Sequence, residues 1–89
     1  MIEHSIEIIN KLGLHARAAA RFVTLASKYD ADIHLRHKEN RVNGKSIMGV
    51  MMLAAAKGSS VILEIDGPDE EEACQALQEL INNRFDESE

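Results

Sequence analysis

One histidine stands where chemistry is easy to arrange. In Gly13-Leu14-His15-Ala16-Arg17-Ala18-Ala19-Ala20 a glycine turn runs into His15, and an alanine-rich stretch of strong helix formers follows at once. A helix start leaves backbone N–H groups unpaired and carries the positive end of the dipole, so it holds anions. An imidazole placed there shares its position with an anion site. A neutral ring can attack phosphorus, and the positive end of a helix favours the neutral form. The same end then steadies a phosphoryl group once it is attached. Arg17 adds a fixed charge for charge-assisted bonds to phosphate oxygens. The plainer readings are a surface histidine at a helix start and a solvated helix arginine.

Ser46 opens a mostly apolar stretch, Ile47 to Ala56. There it fits an N-cap, whose side-chain oxygen accepts a helix N–H. Capping does not exclude modification: a phosphate adds a charge of about −2, which a helix start tolerates. Within the stretch, Ile47, Val50, Met51 and Ala54 form one helical stripe, and Met48, Met52 and Ala55 form another. A helix covering one side of a sheet needs only one stripe. Either the core is loosely packed and rich in methionine, or an adaptable docking surface is exposed. On the second reading Met48 and Met51 are exposed, and Met52, on the flank, is more buried than Met48. His4, His34 and His37 look incidental; the last two are three apart on an expected strand, face opposite sides, and make no metal site. Cys74 reads as a small buried hydrophobe.

These residues need elements to position them. Ile6 and Ile8 alternate with Ser5 and Glu7, a half-buried strand broken by Asn10 to Gly13. A helix is expected from Ala16 to about Tyr29, with Ala19, Phe22, Val23 and Ala26 inward and Arg17, Arg21, Thr24 and Lys28 outward. Ile33 and Leu35 mark a second strand, and Lys38-Glu39-Asn40 turns into a short third strand around Arg41-Val42. The second helix is expected from Ser46 to about Ala56, stopped by Gly58. Val61, Leu63 and Ile65 mark a fourth strand, which Asp66-Gly67-Pro68 ends. The last helix starts near Asp69 with Glu72 as a capping-box partner, and Ala73, Ala76, Leu77, Leu80, Ile81 and Phe85 face inward. The order β-α-β-β-α-β-α predicts an α+β, two-layer fold with three helices on one face of a four-stranded sheet.

Composition limits the functions available. The chain has 89 residues and 45% hydrophobic content, with mean hydropathy −0.21. It reads as one globular domain, residues 1–89, burying roughly 60–65% of its unfolded surface. Net charge is −5, with acid gathered in Asp69-Glu70-Glu71-Glu72 and in an acidic tail, Asp86-Glu87-Ser88-Glu89, expected to fray. That balance argues against nucleic-acid binding, which needs a basic stripe with stacking aromatics. A single cysteine fits a reducing interior. Met1-Ile2-Glu3-His4 shows no secretory signal, and no run is long enough to span a bilayer, so a cytoplasmic protein without a membrane partner is expected.

Two stretches together carry a resemblance. Lys11-Leu12-Gly13-Leu14-His15-Ala16-Arg17, and Val42 through Gly58 with Asn43-Gly44-Lys45-Ser46-Ile47-Met48 at its head, resemble HPr, the histidine-containing phosphocarrier family of the phosphoenolpyruvate-dependent phosphotransferase system. The resemblance covers essentially the whole chain. It implies an open-faced β-sandwich with an antiparallel four-stranded sheet, and a carrier rather than an enzyme. His15 would take phosphate from phospho-Enzyme I on Nδ1 and pass it to Enzyme IIA domains, with Arg17 steadying it. Ser46 matches the position modified by HPr kinase/phosphorylase in regulated members. Ala20, Ile47, Met48 and Met51 match the apolar patch on which partners dock. No cofactor or metal is implied, and the carrier is expected to be a monomer.

The chain departs from many members at Ala18, where proline often stiffens the first turn, and at Leu12, where a polar residue is common. Alanine can hold the same turn. Leu12 and the Phe85-Asp86-Glu87 tail resemble the nitrogen-regulatory branch, whereas Ser46 and its flanks resemble the regulated sugar branch. The alternative function is therefore a regulatory docking module of a permease-less or nitrogen-regulatory system, directed by phospho-Ser46 to a transcription regulator or kinase. A small-molecule-binding α+β domain is the third class, disfavoured by the two motif stretches.

Overall fold

Alternation builds the sheet. In a computed structural model describing all residues 1–89, the chain runs β1 (Ile2–Glu7), α1 (Ala16–Ala26), β2 (Asp32–His37), β3 (Asn40–Asn43), α2 (Ile47–Met52), β4 (Ser60–Asp66) and α3 (Glu70–Asn82), then a single turn, Arg84–Asp86. Every second residue of β4, namely Val61, Leu63 and Ile65, is buried. Its neighbours continue the stripe: Ile6 lies opposite Val61, Leu35 opposite Leu63, and Ile33 opposite Ile65. A slip of one residue would turn this stripe to water, which pins the register. Strand order is β1-β4-β2-β3, every pair antiparallel.

One face of the sheet is covered. Ala18, Ala19, Phe22, Val23 and Ala26 of α1, Val50 of α2, and Ala73, Cys74, Leu77 and Ile81 of α3 join the inward strand residues in one core. Each large aliphatic or aromatic side chain so buried contributes about 1.5–3 kcal/mol. The other face stays open and charged, with Glu64 bridging Arg36 at 3.0 Å and Arg41 at 2.6 Å across three strands. The architecture is the expected one: four antiparallel strands and three helices.

Element ends differ from expectation where tertiary contacts compete. The first helix stops at Ala26, short of Tyr29; beyond it Lys28 and Tyr29 donate to Leu25 and Ala26 in a tighter turn. The second helix ends at Met52, not Ala56. Leu53 and Ala55 are buried, Ala54 adopts φ +52°, and the Ala55 carbonyl accepts from Leu14 N–H at 2.9 Å. Asp69 stands at the N-cap of α3 but forms no capping box with Glu72. Its carboxylate instead accepts from the backbone of Asp30 at 2.8 Å and Ala31 at 2.9 Å, tying α3 to the start of β2. Phe85 is not on α3. It is fully buried beyond it, carried by a left-handed turn with φ +56° at Arg84, +53° at Phe85 and +64° at Asp86. With Phe85 anchored, the acidic tail folds back on the body instead of fraying.

Candidate functional site

The segment before His15 is held from both sides. Gly13 is buried with φ +66°, and a Cβ there would stand 2.5 Å from the Ala55 carbonyl oxygen, so only glycine fits. Leu14 is buried beside it, and His15 N–H donates to the Gly13 carbonyl at 2.9 Å. His15 then sits at the N-cap of α1 in extended backbone, its own carbonyl accepting from Ala19. No side chain caps this helix, and the N–H groups of Ala16, Arg17 and Ala18 have no partner. Arg17 is exposed and makes no ion pair. The sequence expectation that His15 and Arg17 share an uncapped helix start therefore describes this geometry.

A third group at the site came from the far end of the chain. Glu87 Oε2 lies 2.5 Å from His15 Nε2, and Glu87 Oε1 accepts from Asn10 Nδ2 at 2.9 Å. Asn10 is wholly buried; its Nδ2 also donates to the Gly13 carbonyl at 2.9 Å, and its Oδ1 has no partner. Arg21 donates to the Phe85 carbonyl, and Lys11 N–H donates to the Glu89 carbonyl at 2.5 Å. Burial pushes the Glu87 carboxyl up, but the hydrogen bonds from Asn10 and His15, helped by the charge of Arg21, prevail and hold it below its usual range. An ionised carboxylate only accepts, so His15 Nε2 is the donor, and Nδ1 is left without a partner. Lys11, Leu12, Arg17 and Arg21 meet the tail across a shallow cavity of about 390 Å³. The sequence offered one hint of all this, an apolar Phe85 in an otherwise polar tail.

Beside this site lies an apolar surface. Met48 is 70% exposed, Ile47 44% and Met51 38%, with Leu12 also exposed and Ala20 half-buried. Met52 is 74% exposed, which corrects the expectation that it is more buried than Met48. The reason is length: α2 spans Ile47–Met52, with Val50 as its one buried side chain, so Met48, Met51 and Met52 all face water. Ser46 caps this helix, its Oγ accepting from Gly49 N–H at 3.1 Å. His37, at the end of β2, contacts the Ser60 carbonyl at 3.1 Å, and no three His, Cys, Asp or Glu side chains converge to hold a metal ion. Cys74 is buried. No helix is long and apolar enough to cross a membrane.

Comparison with known proteins agrees with this layout. Residues 2–83 match the family model described as the PTS HPr component phosphorylation site. The chain is 57% identical over 89 residues to the phosphocarrier protein HPr of Neisseria meningitidis, covering 100% of both. It superposes on a crystal structure of HPr from Thermoanaerobacter tengcongensis with TM-score 0.95 and 49% identity, again covering 100% of both chains. A crystal structure of an HPr dimer from the same organism is also similar, with TM-score 0.78 and 50% identity over 98% of this chain and 100% of that one.

Proposed function

The chain belongs to the HPr family of phosphocarrier proteins, and from that premise we propose that His15 accepts a phosphoryl group from phospho-Enzyme I and passes it to Enzyme IIA domains. As in its family, the protein is a carrier in the phosphotransferase system and not an enzyme. The observation that carries the assignment is the placement of His15 at the uncapped start of α1. Three unpartnered N–H groups and the free Arg17 guanidinium are available to phosphate oxygens there. The imidazole supplies the nucleophile, so the step needs no cofactor or metal. The reading places one phosphocarrier domain, residues 1–89, in the cytoplasm, working as a monomer, although an HPr dimer exists among similar structures.

Ala20, Ile47, Met48 and Met51 form the surface on which Enzyme I and Enzyme IIA dock in this reading. Ser46 caps α2 at the edge of that surface. Phosphorylation there by HPr kinase/phosphorylase places new negative charge where an incoming phosphohistidine must approach. That proximity also favours the regulatory reading, in which the modified face recruits a transcription regulator.

Incubation with phosphoenolpyruvate and Enzyme I is expected to give an acid-labile label that His15→Ala abolishes. Label persisting on His4, His34 or His37 rejects the assignment. In the ATP-dependent arm, HPr kinase is expected to give an acid-stable label, absent from Ser46→Ala, that slows later labelling of His15. Unslowed labelling of the phosphoserine form removes Ser46 from the control of transfer.

A further inference from the structure

We propose that the turn at residues 53–56 is a positioning element for transfer at His15, held against the tendency of α2 to run on toward Gly58: when the turn lets go of Leu14, α2 lengthens and the histidine loses its support. The proposal deepens the assignment of His15 and rests on it. Two backbone segments interlock here. The Ala55 carbonyl accepts from Leu14 N–H at 2.9 Å, one residue before His15. A Cβ at Gly13 would stand 2.5 Å from that carbonyl oxygen and 2.9 Å from the Ala56 Cα. The chain at 55–56 therefore lies directly against the chain that carries His15, and Leu14 and Ala55 are both buried.

The turn is strained and has an alternative. Ala54 stands at φ +52°, a left-handed conformation that strains an alanine but not a glycine. The chain is already tight after α2, with Leu53 and Ala54 N–H bonded three residues back, to Val50 at 3.3 Å and Met51 at 3.1 Å. The N–H groups of Ala55 and Ala56 have no partner. With Ala54 in right-handed helix, those two groups reach the carbonyls of Met51 and Met52, four residues back. A leucine and three alanines are strong helix formers, and Gly58, at φ +91°, is a ready C-terminal stop. Local propensity and tertiary contact thus favour opposite states of the same four residues, and the Leu14–Ala55 bond is made in only one of them. In the long-helix state Gly13 and Leu14 have lost what they rest on, and nothing on that side fixes His15 at the start of α1.

The test compares the parent with Ala54→Gly and Ala54→Val, at an exposed position outside the proposed docking surface. Glycine suits a left-handed turn and weakens a helix, whereas a β-branched valine fits positive φ poorly. Hydrogen exchange of the Leu14 amide reports the turn, and carbon-13 shifts of the Cα atoms at 53–56 report helix. Ala54→Gly is expected to slow Leu14 exchange about fivefold or more relative to the amides of β4, because relief of the left-handed strain favours the closed turn. Ala54→Val is expected to speed that exchange and to move the Cα shifts toward helix. It should also lower the initial rate of labelling from phospho-Enzyme I by the same factor as the closed fraction. Unchanged Leu14 exchange in both variants overturns the proposal, as does an opened turn without helical shifts. Parent-like labelling of an opened turn overturns it too, and so does slowed labelling with Leu14 still protected, which marks a direct effect on docking. Exchange and shifts are read without any label, so failure of this proposal is distinguishable from failure of the His15 assignment.

Discussion

Arg17 projects from the first turn of α1 with no acidic partner and no buried contact. A guanidinium left unpaired beside a helix start is available to an anion and adds little to folding. Arg17→Ala is therefore expected to change stability by no more than about 0.5 kcal/mol. Transfer from phospho-Enzyme I should slow by about tenfold or more, because a charge-assisted bond to the phosphoryl group is lost. Thermal melts and labelling kinetics on one preparation check both halves, and equal rates remove Arg17 from the mechanism. His15 and Arg17 were legible in the sequence because a helix start is a local event, set by Gly13 and the alanines that follow. Glu87 was not. It reaches His15 across 72 positions, a contact that no local spacing encodes. Asn10 read as a strand breaker for the same reason: its role depends on a carboxylate 77 positions away.

At the scale of elements, strands were legible because burial alternates along them, and Val61, Leu63 and Ile65 could face only one way. Helix ends were less so. Leu53, Ala54, Ala55 and Ala56 continue a helical apolar pattern, yet the Ala55 carbonyl is taken by Leu14, and the helix yields to the turn that positions His15. The shortened α2 settles the choice between methionine core and methionine surface in favour of surface. Met48→Asp and Met52→Asp should both melt within a few degrees of the parent, since each side chain is more than two-thirds exposed. Met48→Asp should also raise the KM for transfer from phospho-Enzyme I. Val50→Asp is the internal contrast: it strands an unpaired charge in the core, costs several kcal/mol and is expected to unfold a chain this small. Unfolding by Met48→Asp would confine the proposed docking surface to His15, Arg17 and Ala20 alone.

For the whole molecule, three carboxylates act as ties between elements, and each has its pKa held below the usual range. Arg41 and then Arg36 hold the Glu64 carboxyl down against burial, joining β4 to β3 and β2. The backbone N–H of Asp30, then that of Ala31, does the same for Asp69, joining α3 to β2. At Glu87, burial pushes upward but loses to Asn10 and His15, joining the tail to α1. A carboxyl with a lower pKa folded than unfolded binds fewer protons folded, so acid favours the unfolded chain. Its contribution is complete above the unfolded value, roughly pH 4 to 4.5, and is lost as pH falls through the depressed folded value. The urea midpoint should thus show no loss from these ties between pH 8 and 6, then decline below about pH 5. Combining Glu64→Gln, Asp69→Asn and Glu87→Gln removes the linkage from all three ties. That variant is expected to unfold at lower urea than the parent at pH 7 and to show a shallower decline toward pH 3. Parallel curves for variant and parent would assign the acid sensitivity to other groups. A shallower curve would show that sheet, helix and tail are tied by ionised carboxylates, with the tail's tie made at His15 itself.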